Sequence, residues 1–263
     1  MKSRKPIAGA LSVLAAGLVV AASAAGGESN SNVAAAAGKP SKSGALPQGS
    51  EPVDLKPSDF TTKIDNPYWP MSPGSRWVYR ETDSEGTKQK VVIVVTKKTK
   101  KIANGITARV IRDTVTDGGV PVEITDDWYA QDKDGNIWYL GEDTKEYENG
   151  KVKSTAGSFE AGVDGAQPGI ALPANPKPGM SYRQEYYKGV AEDKAAVITV
   201  GEEQVEVPFG YFKKDVLMTR DLVPLEPKVQ ELKFYAPGVG PLLSMHTDGP
   251  GGRAALVSFT PGK

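Results

Sequence analysis

Six Pro-Gly dipeptides punctuate this chain, at Pro73, Pro168, Pro178, Pro237, Pro250 and Pro261. Proline fixes φ and donates no backbone hydrogen bond, and the glycine after it accepts positive φ, so each pair turns the chain and ends a helix. Between them lie short runs rich in Val, Ile, Thr, Tyr and Trp. That spacing predicts a mainly β protein, a curved antiparallel sheet of half-barrel or sandwich-like form with little helix. No long segment repeats apolar residues at i, i+3, i+4 and i+7.

The first half offers strands Arg76 to Glu81, Lys88 to Thr96, Ile106 to Val115, Pro121 to Ala130 and Ile137 to Gly141. The second offers Ser181 to Lys188, Ala195 to Val200, Gln204 to Val207, Val216 to Arg220, Val229 to Ala236, Leu242 to His246 and Arg253 to Phe259. Between the groups, Gly141 to Pro178 is rich in Gly, Ala and Pro and reads as a long connection, either a lid or a surface loop. The run Val91-Val92-Ile93-Val94-Val95 is apolar in every position, which predicts a central strand covered on both faces. Lys88, Lys90, Lys97, Lys98, Lys100 and Lys101 bracket it. Such lysines keep a sticky strand from pairing with another chain, or form a basic patch for teichoic acid or phospholipid head groups.

The chain opens with Lys2, Arg4 and Lys5, then an uncharged run from Ile7 to Ala22, then Ala22-Ser23-Ala24. This is the pattern of an export signal, residues 1–24, with cleavage expected between Ala24 and Ala25; an uncleaved anchor is the alternative. Residues 25–58 carry almost no large apolar side chain and read as a disordered tether. Residues 59–263 are then a single β-rich domain, secreted, extracellular or cell-wall associated. The chain has no cysteine, so disulfides and thiol chemistry are excluded.

Charge and histidine count bound the chemistry further. Lys plus Arg and Asp plus Glu are both 32, which leaves no basic excess for nucleic acid. A single histidine, His246, restricts triads and histidine metal sites to that one residue. No G-x-S-x-G, P-loop, Rossmann or zinc-protease pattern is present. Asp132, Asp134 and Asn136 alternate as in a calcium loop, but Gly135 is fourth rather than sixth, so a hairpin turn is the competing reading. Paired-carboxylate hydrolysis would draw on Asp126, Asp127, Glu142, Asp143, Glu160, Asp164, Glu185 or Glu192, and spacing selects none of them.

The aromatic pairs Trp128-Tyr129 and Trp138-Tyr139 flank that turn, and alternation sends the members of each pair to opposite faces. Tyr68 and Trp69, in Asn66-Pro67-Tyr68-Trp69-Pro70, form a proline-locked entry to the domain. These six rings are the candidate ligand-binding residues, with core packing as the alternative.

The pieces Asp65 to Tyr79, Trp138 to Glu142, Val207-Pro208-Phe209-Gly210 and Tyr235-Ala236-Pro237-Gly238-Val239-Gly240 follow one another in this order. In that order the chain resembles a group of uncharacterised secreted or lipid-anchored bacterial β-rich proteins. There a Pro-Gly turn leads into a W-x-Y strand and a Tyr-Ala-Pro-Gly-Val-Gly turn into another. The resemblance implies a fold and no catalytic residue. The combined expectation is a non-enzymatic, monomeric envelope protein that binds a lipid or other small amphiphile. It would use no cofactor, engage no nucleic acid and touch the membrane only during export. An extracellular hydrolase and a protein-interaction module are the alternatives.

Overall fold

The computed structural model describes residues 46–82, 86, 88–227, 229–247 and 252–263. The export signal, its cleavage point at Ala24 and Ala25, and the tether up to residue 45 lie outside the described residues. Apart from a 3-10 turn at Pro57–Asp59, the regular elements are strands. The first nine are β1 Phe60–Thr61, β2 Arg76–Thr82, β3 Lys88–Lys101, β4 Thr107–Asp117, β5 Val120–Asp132, β6 Ile137–Glu148, β7 Lys151–Ser154, β8 Phe159–Glu160 and β9 Gln167–Leu172. The rest are β10 Ser181–Arg183, β11 Glu185–Tyr186, β12 Lys194–Val200, β13 Val205–Val207, β14 Gly210–Phe212, β15 Leu217–Leu222, β16 Gln230–Ala236, β17 Gly240–His246 and β18 Arg253–Thr260.

Thirteen strands form one antiparallel path, β10-β12-β15-β16-β17-β18-β2-β3-β4-β5-β6-β9-β11. Its two ends are neighbours in the chain, separated by Gln184 alone. The sheet therefore curls past a half-barrel into a barrel with one seam. A separate hairpin, β13 with β14, lies against β17 and β18.

Alternation decides which side chains enter the barrel. On β3, Gln89, Val91, Ile93 and Val95 are buried while Val92 and Val94 are half-buried. The run expected to be covered on both faces is thus covered fully on one only, because the inner face supplies the core. β2 contributes Trp77, Tyr79 and Glu81 opposite Ile93, Val91 and Gln89. β4 contributes Ile111, Asp113 and Val115, and β5 places Asp127, Thr125 and Glu123 opposite them.

The segment expected to be an unstructured connection, Gly141 to Pro178, holds the second half of β6 and three further strands, β7 to β9. β9 is almost entirely buried and pairs with β6 on one side and β11 on the other. Pro168 has no N–H to give a ladder, and its carbonyl accepts from the Arg183 guanidinium, from Nε at 3.2 Å and Nη2 at 2.7 Å.

One end of the barrel is plugged by the motif residues. Trp77 Nε1 donates to the Val239 carbonyl at 2.7 Å, Tyr79 hydroxyl to the Pro241 carbonyl at 2.9 Å, and Gly238 N to the Pro67 carbonyl at 2.8 Å. Gly240 has φ of 101° and leaves only 3.0 Å between a would-be Cβ and the Trp69 ring. A side chain there would displace Trp69 from the barrel. Asn66 ties the plug to the rest, its amide donating to the Gly135 and Pro173 carbonyls and its Oδ1 accepting from Tyr68 N.

Residues 46–58, expected to belong to the tether, lie against the barrel, with Leu46, Val53 and Leu55 packed on the core. Residues 47–51 run along β10 beside the seam. Arg183 N donates to the Pro47 carbonyl, and its Nη1 reaches the Gly49 and Glu51 carbonyls. Gln48 and Ser181 exchange two further bonds, at 2.6 and 3.0 Å.

Candidate functional site

Inside the seam is a chamber lined by Trp69, Tyr129, Tyr139, Ala171, Gln184, Lys233 and Tyr235. Its volume is about 10 Å³, room for roughly one water. The walls are rings in contact. Trp69 lies 5.7 Å from Tyr129 and 6.1 Å from Tyr235 between centroids, and Tyr129 stacks on Tyr139 at 4.9 Å.

Carboxyl groups surround these rings, and local backbone geometry brings them there. Tyr139 and Glu142 are three apart on β6, which would put them on opposite faces of a regular strand. The register slips between Asp127 and Tyr129 of the partner strand, and Gly141 takes φ of 127° at that irregularity. The bulge reverses the alternation, so both side chains face inward. Tyr139 hydroxyl then lies 3.0 Å from Asp127 Oδ1 and 2.7 Å from Glu142 Oε2. A phenol has one proton to donate. Whichever carboxyl it serves, the other contact requires a proton on the second carboxyl, so the trio holds at least one neutral acid.

Electrostatics agree with that count. Burial, then the charge of Glu142, pushes Asp127 well above the usual carboxylate range; burial also raises Glu142, against the Tyr139 hydrogen bond. Glu185 and Asp193 are raised well above it too, burial first in each case. Unpaired charge in a low-dielectric interior is costly, and neutralisation relieves it.

The opposite wall carries Lys233, buried between Asp221 Oδ2 at 2.9 Å and Glu231 Oε2 at 3.2 Å. Burial alone would lower its pKa; the two carboxylates outweigh this and hold it well above its ordinary value. Asp221 also accepts from Gln184 Nε2 at 3.2 Å and from the Thr219 hydroxyl at 3.3 Å. Gln184 is the bend residue between β10 and β11, and Gly169 of β9 passes beneath it. A Cβ on Gly169 would sit 2.2 Å from the Gln184 carbonyl oxygen. That approach is what brings the two ends of the sheet together.

Three of the six candidate rings, Trp69, Tyr129 and Tyr139, thus share the chamber. Trp128 and Trp138 occupy the other face of their strands and are covered there. Lys100 Nζ sits 3.5 Å from the Trp128 ring centroid and pairs with Glu160 at 2.8 Å. Trp138 meets Phe60 edge-on at 6.0 Å and donates its indole N–H to Asp132 Oδ2 at 2.8 Å. Tyr68 is half-buried beside the plug. Asp132 is occupied by its own turn, accepting from the backbone N–H groups of Asp134 and Asn136 at 2.9 Å and from the Asn136 amide at 2.8 Å. Among the described residues, no group of three or more His, Cys, Asp or Glu side chains is arranged to hold a metal ion.

Of the eight acids eligible for hydrolysis, Asp127, Glu142 and Glu185 are buried in the barrel. Asp126 pairs with Arg112, Asp143 with Lys145 and Glu160 with Lys100. Asp127 and Glu142 are 0% and 6% exposed, sealed from any polymeric substrate in this conformation. His246 is a strand residue of β17 paired in register with Glu231. Sequence reasoning missed Gln184, Lys233 and Tyr235. The last two alternate with Glu231 along β16, a pattern that reads equally as the solvent face of a strand.

No protein-family model matches the chain, and no curated protein matches it. Among solved structures it is similar to a Bacteroides fragilis protein of YmcC-like fold described as exported, at 16% identity and TM-score 0.41, over 74% of this chain and 99% of that one. A Parabacteroides distasonis protein described as a lipoprotein aligns at 14% identity and TM-score 0.40, over 74% and 100%. A β-barrel-like protein from Brucella abortus, a domain of unknown function, aligns at 13% and 0.33, over 72% and 97%.

Proposed function

We propose that this chain is an exported, non-enzymatic binding protein of the cell envelope that holds a small amphiphile in the barrel, admitted through the seam. The observation that carries the reading is the position of the aromatic chamber directly inside the one discontinuity of the sheet. Ala171 and Gln184 line the chamber and belong to the two sides of that discontinuity. Elsewhere, neighbouring strands of the path are joined by hydrogen-bonded ladders; at the seam the bent strand makes the join, its Arg183 guanidinium bonding the Pro168 carbonyl of β9 and the strap of residues 47–51 that covers β10. A ladder resists opening along its whole length, whereas a strap can be lifted.

Aromatic walls with a few convergent polar groups are the usual make-up of a small-molecule site. A chamber that holds one water accommodates a head group, and the seam is the route by which a tail would lie outward. The export signal read from the first 24 residues supports the envelope location. Native mass spectrometry of the mature protein purified from its own host tests the reading. Co-purifying small molecules of amphiphilic character are expected. Protein that is empty in every preparation, and that takes up no fluorescent amphiphile, would reject it.

A further inference from the structure

The polar atoms of the chamber wall narrow the head group, and this step rests on the binding reading above. We infer that the site takes a single neutral hydroxyl, as on a long-chain alcohol, which donates to the Gln184 amide oxygen and accepts from the Lys233 ammonium.

Bonding capacity left over at the wall is the first argument. Gln184 and Lys233 both line the chamber. Gln184 Nε2 donates to Asp221 Oδ2 at 3.2 Å, which makes Oε1 the amide's open end, and among the described residues none donates to that buried oxygen. The Lys233 ammonium has three N–H groups. Among the described residues two carboxyl groups meet it, Asp221 Oδ2 at 2.9 Å and Glu231 Oε2 at 3.2 Å, so one N–H remains. The wall thus has one acceptor and one donor to spare. A hydroxyl carries one proton and two lone pairs and answers both. An ammonium head brings no lone pair for Lys233, and a carboxylate or an ether brings no proton for Gln184.

Charge and size point the same way. Burial pushes Glu231 up to about 7 and Glu142 up to about 8, and raises Asp127, Glu185 and Asp193 well above the usual carboxylate range. At pH 6 these acids are largely protonated, and Lys233 is matched by Asp221. A charged head would give up its hydration with no opposite charge to replace it. A hydroxyl is also about as large as the water that a cavity of about 10 Å³ holds, whereas a glycerol or sugar head is several times larger.

Isothermal titration of the folded mature protein at pH 6, with four ligands sharing one eight-carbon tail and kept below their micelle concentrations, tests the inference. Octanol is expected to bind about tenfold more tightly than octylammonium, octanoate or 1-methoxyoctane, the last of which accepts a hydrogen bond but donates none. Gln184→Met should cost octanol about tenfold and leave 1-methoxyoctane unchanged. Should that variant fail to fold, Ala171→Val, which puts two further methyl groups at the chamber wall, should abolish the preference for octanol. Equal binding of all four, preference for any of the other three, or octanol binding indifferent to the variant would overturn the hydroxyl assignment while leaving the amphiphile reading standing. No binding by any of the four would overturn both and leave the chamber to a water molecule.

Discussion

The Tyr139 hydroxyl bridges two buried carboxyl groups, donating to one and accepting from the protonated other. Tyr139→Phe leaves Asp127 Oδ1 and Glu142 Oε2 without their shared partner. The expected loss is about 1–3 kcal/mol, the cost of buried acceptors left unmade, read from urea unfolding of the variant beside the parent. An unchanged midpoint would mean that the hydroxyl does not hold the two carboxyls. Gly169 is as demanding for a different reason. A methyl group there would overlap the Gln184 carbonyl, and Gly169→Ala should lose about 1–3 kcal/mol or more through forced separation of β9 from the bent strand. Neither position announces itself in the sequence. Gly169 reads as half of a turn signal, and Tyr139 as one aromatic among several, until a bulge of one extra residue brings Glu142 to its hydroxyl.

At the scale of elements, the strap of residues 47–51 and the bent strand it covers are the parts built to move. Their bonds run mostly through one guanidinium, Arg183, and short polar contacts rather than through a ladder. A chain beginning at residue 52 should therefore remain folded, exchange backbone amides of β10 and β11 faster, and take up ligand faster; hydrogen exchange resolved by segment measures the first effect. Protection equal to that of the full chain would remove the strap from the mechanism. The longer strands β2 to β6 were legible because each carries several apolar or aromatic residues bounded by turn residues. β9 was not, because Pro168 and Gly169 are a turn signal in sequence and become a strand only when Arg183 and a close-packed neighbour use what they offer. The polar lumen was illegible for a related reason. Alternation tells two faces apart but not which is inner, and here Asp113, Asp127 and Lys233 lie on the inner one.

For the whole molecule, a barrel lined with acids sets the pH dependence of stability. Burial, followed by Glu146, pushes Glu123 up to about 7 from an ordinary 4.5, and burial likewise raises Asp127, Glu142 and Glu231. Folded protein keeps these protons at pH values where the unfolded chain has released them. Stability from these groups is thus complete below about pH 4.5 and is lost as pH rises through the folded values, near 7 for Glu123. The melting temperature should be higher at pH 5 than at pH 8, and Glu142→Gln should reduce that difference. A melting temperature that climbs over the same interval would show that the lumenal acids are charged in the native state.

The pairing of β18 with β2 has a consequence for how such a chain reaches its native state. A chain is made from its N-terminus, so β2 to β9 are available before β18 has appeared. Throughout that interval one edge of β2 is an unpaired template carrying Trp77 and Tyr79. The ring can shut only when residues 253–260 arrive. Completion of the chain and closure of the barrel are then one event, and a chain stalled a few residues short would be recognisable to a protease by its open edge.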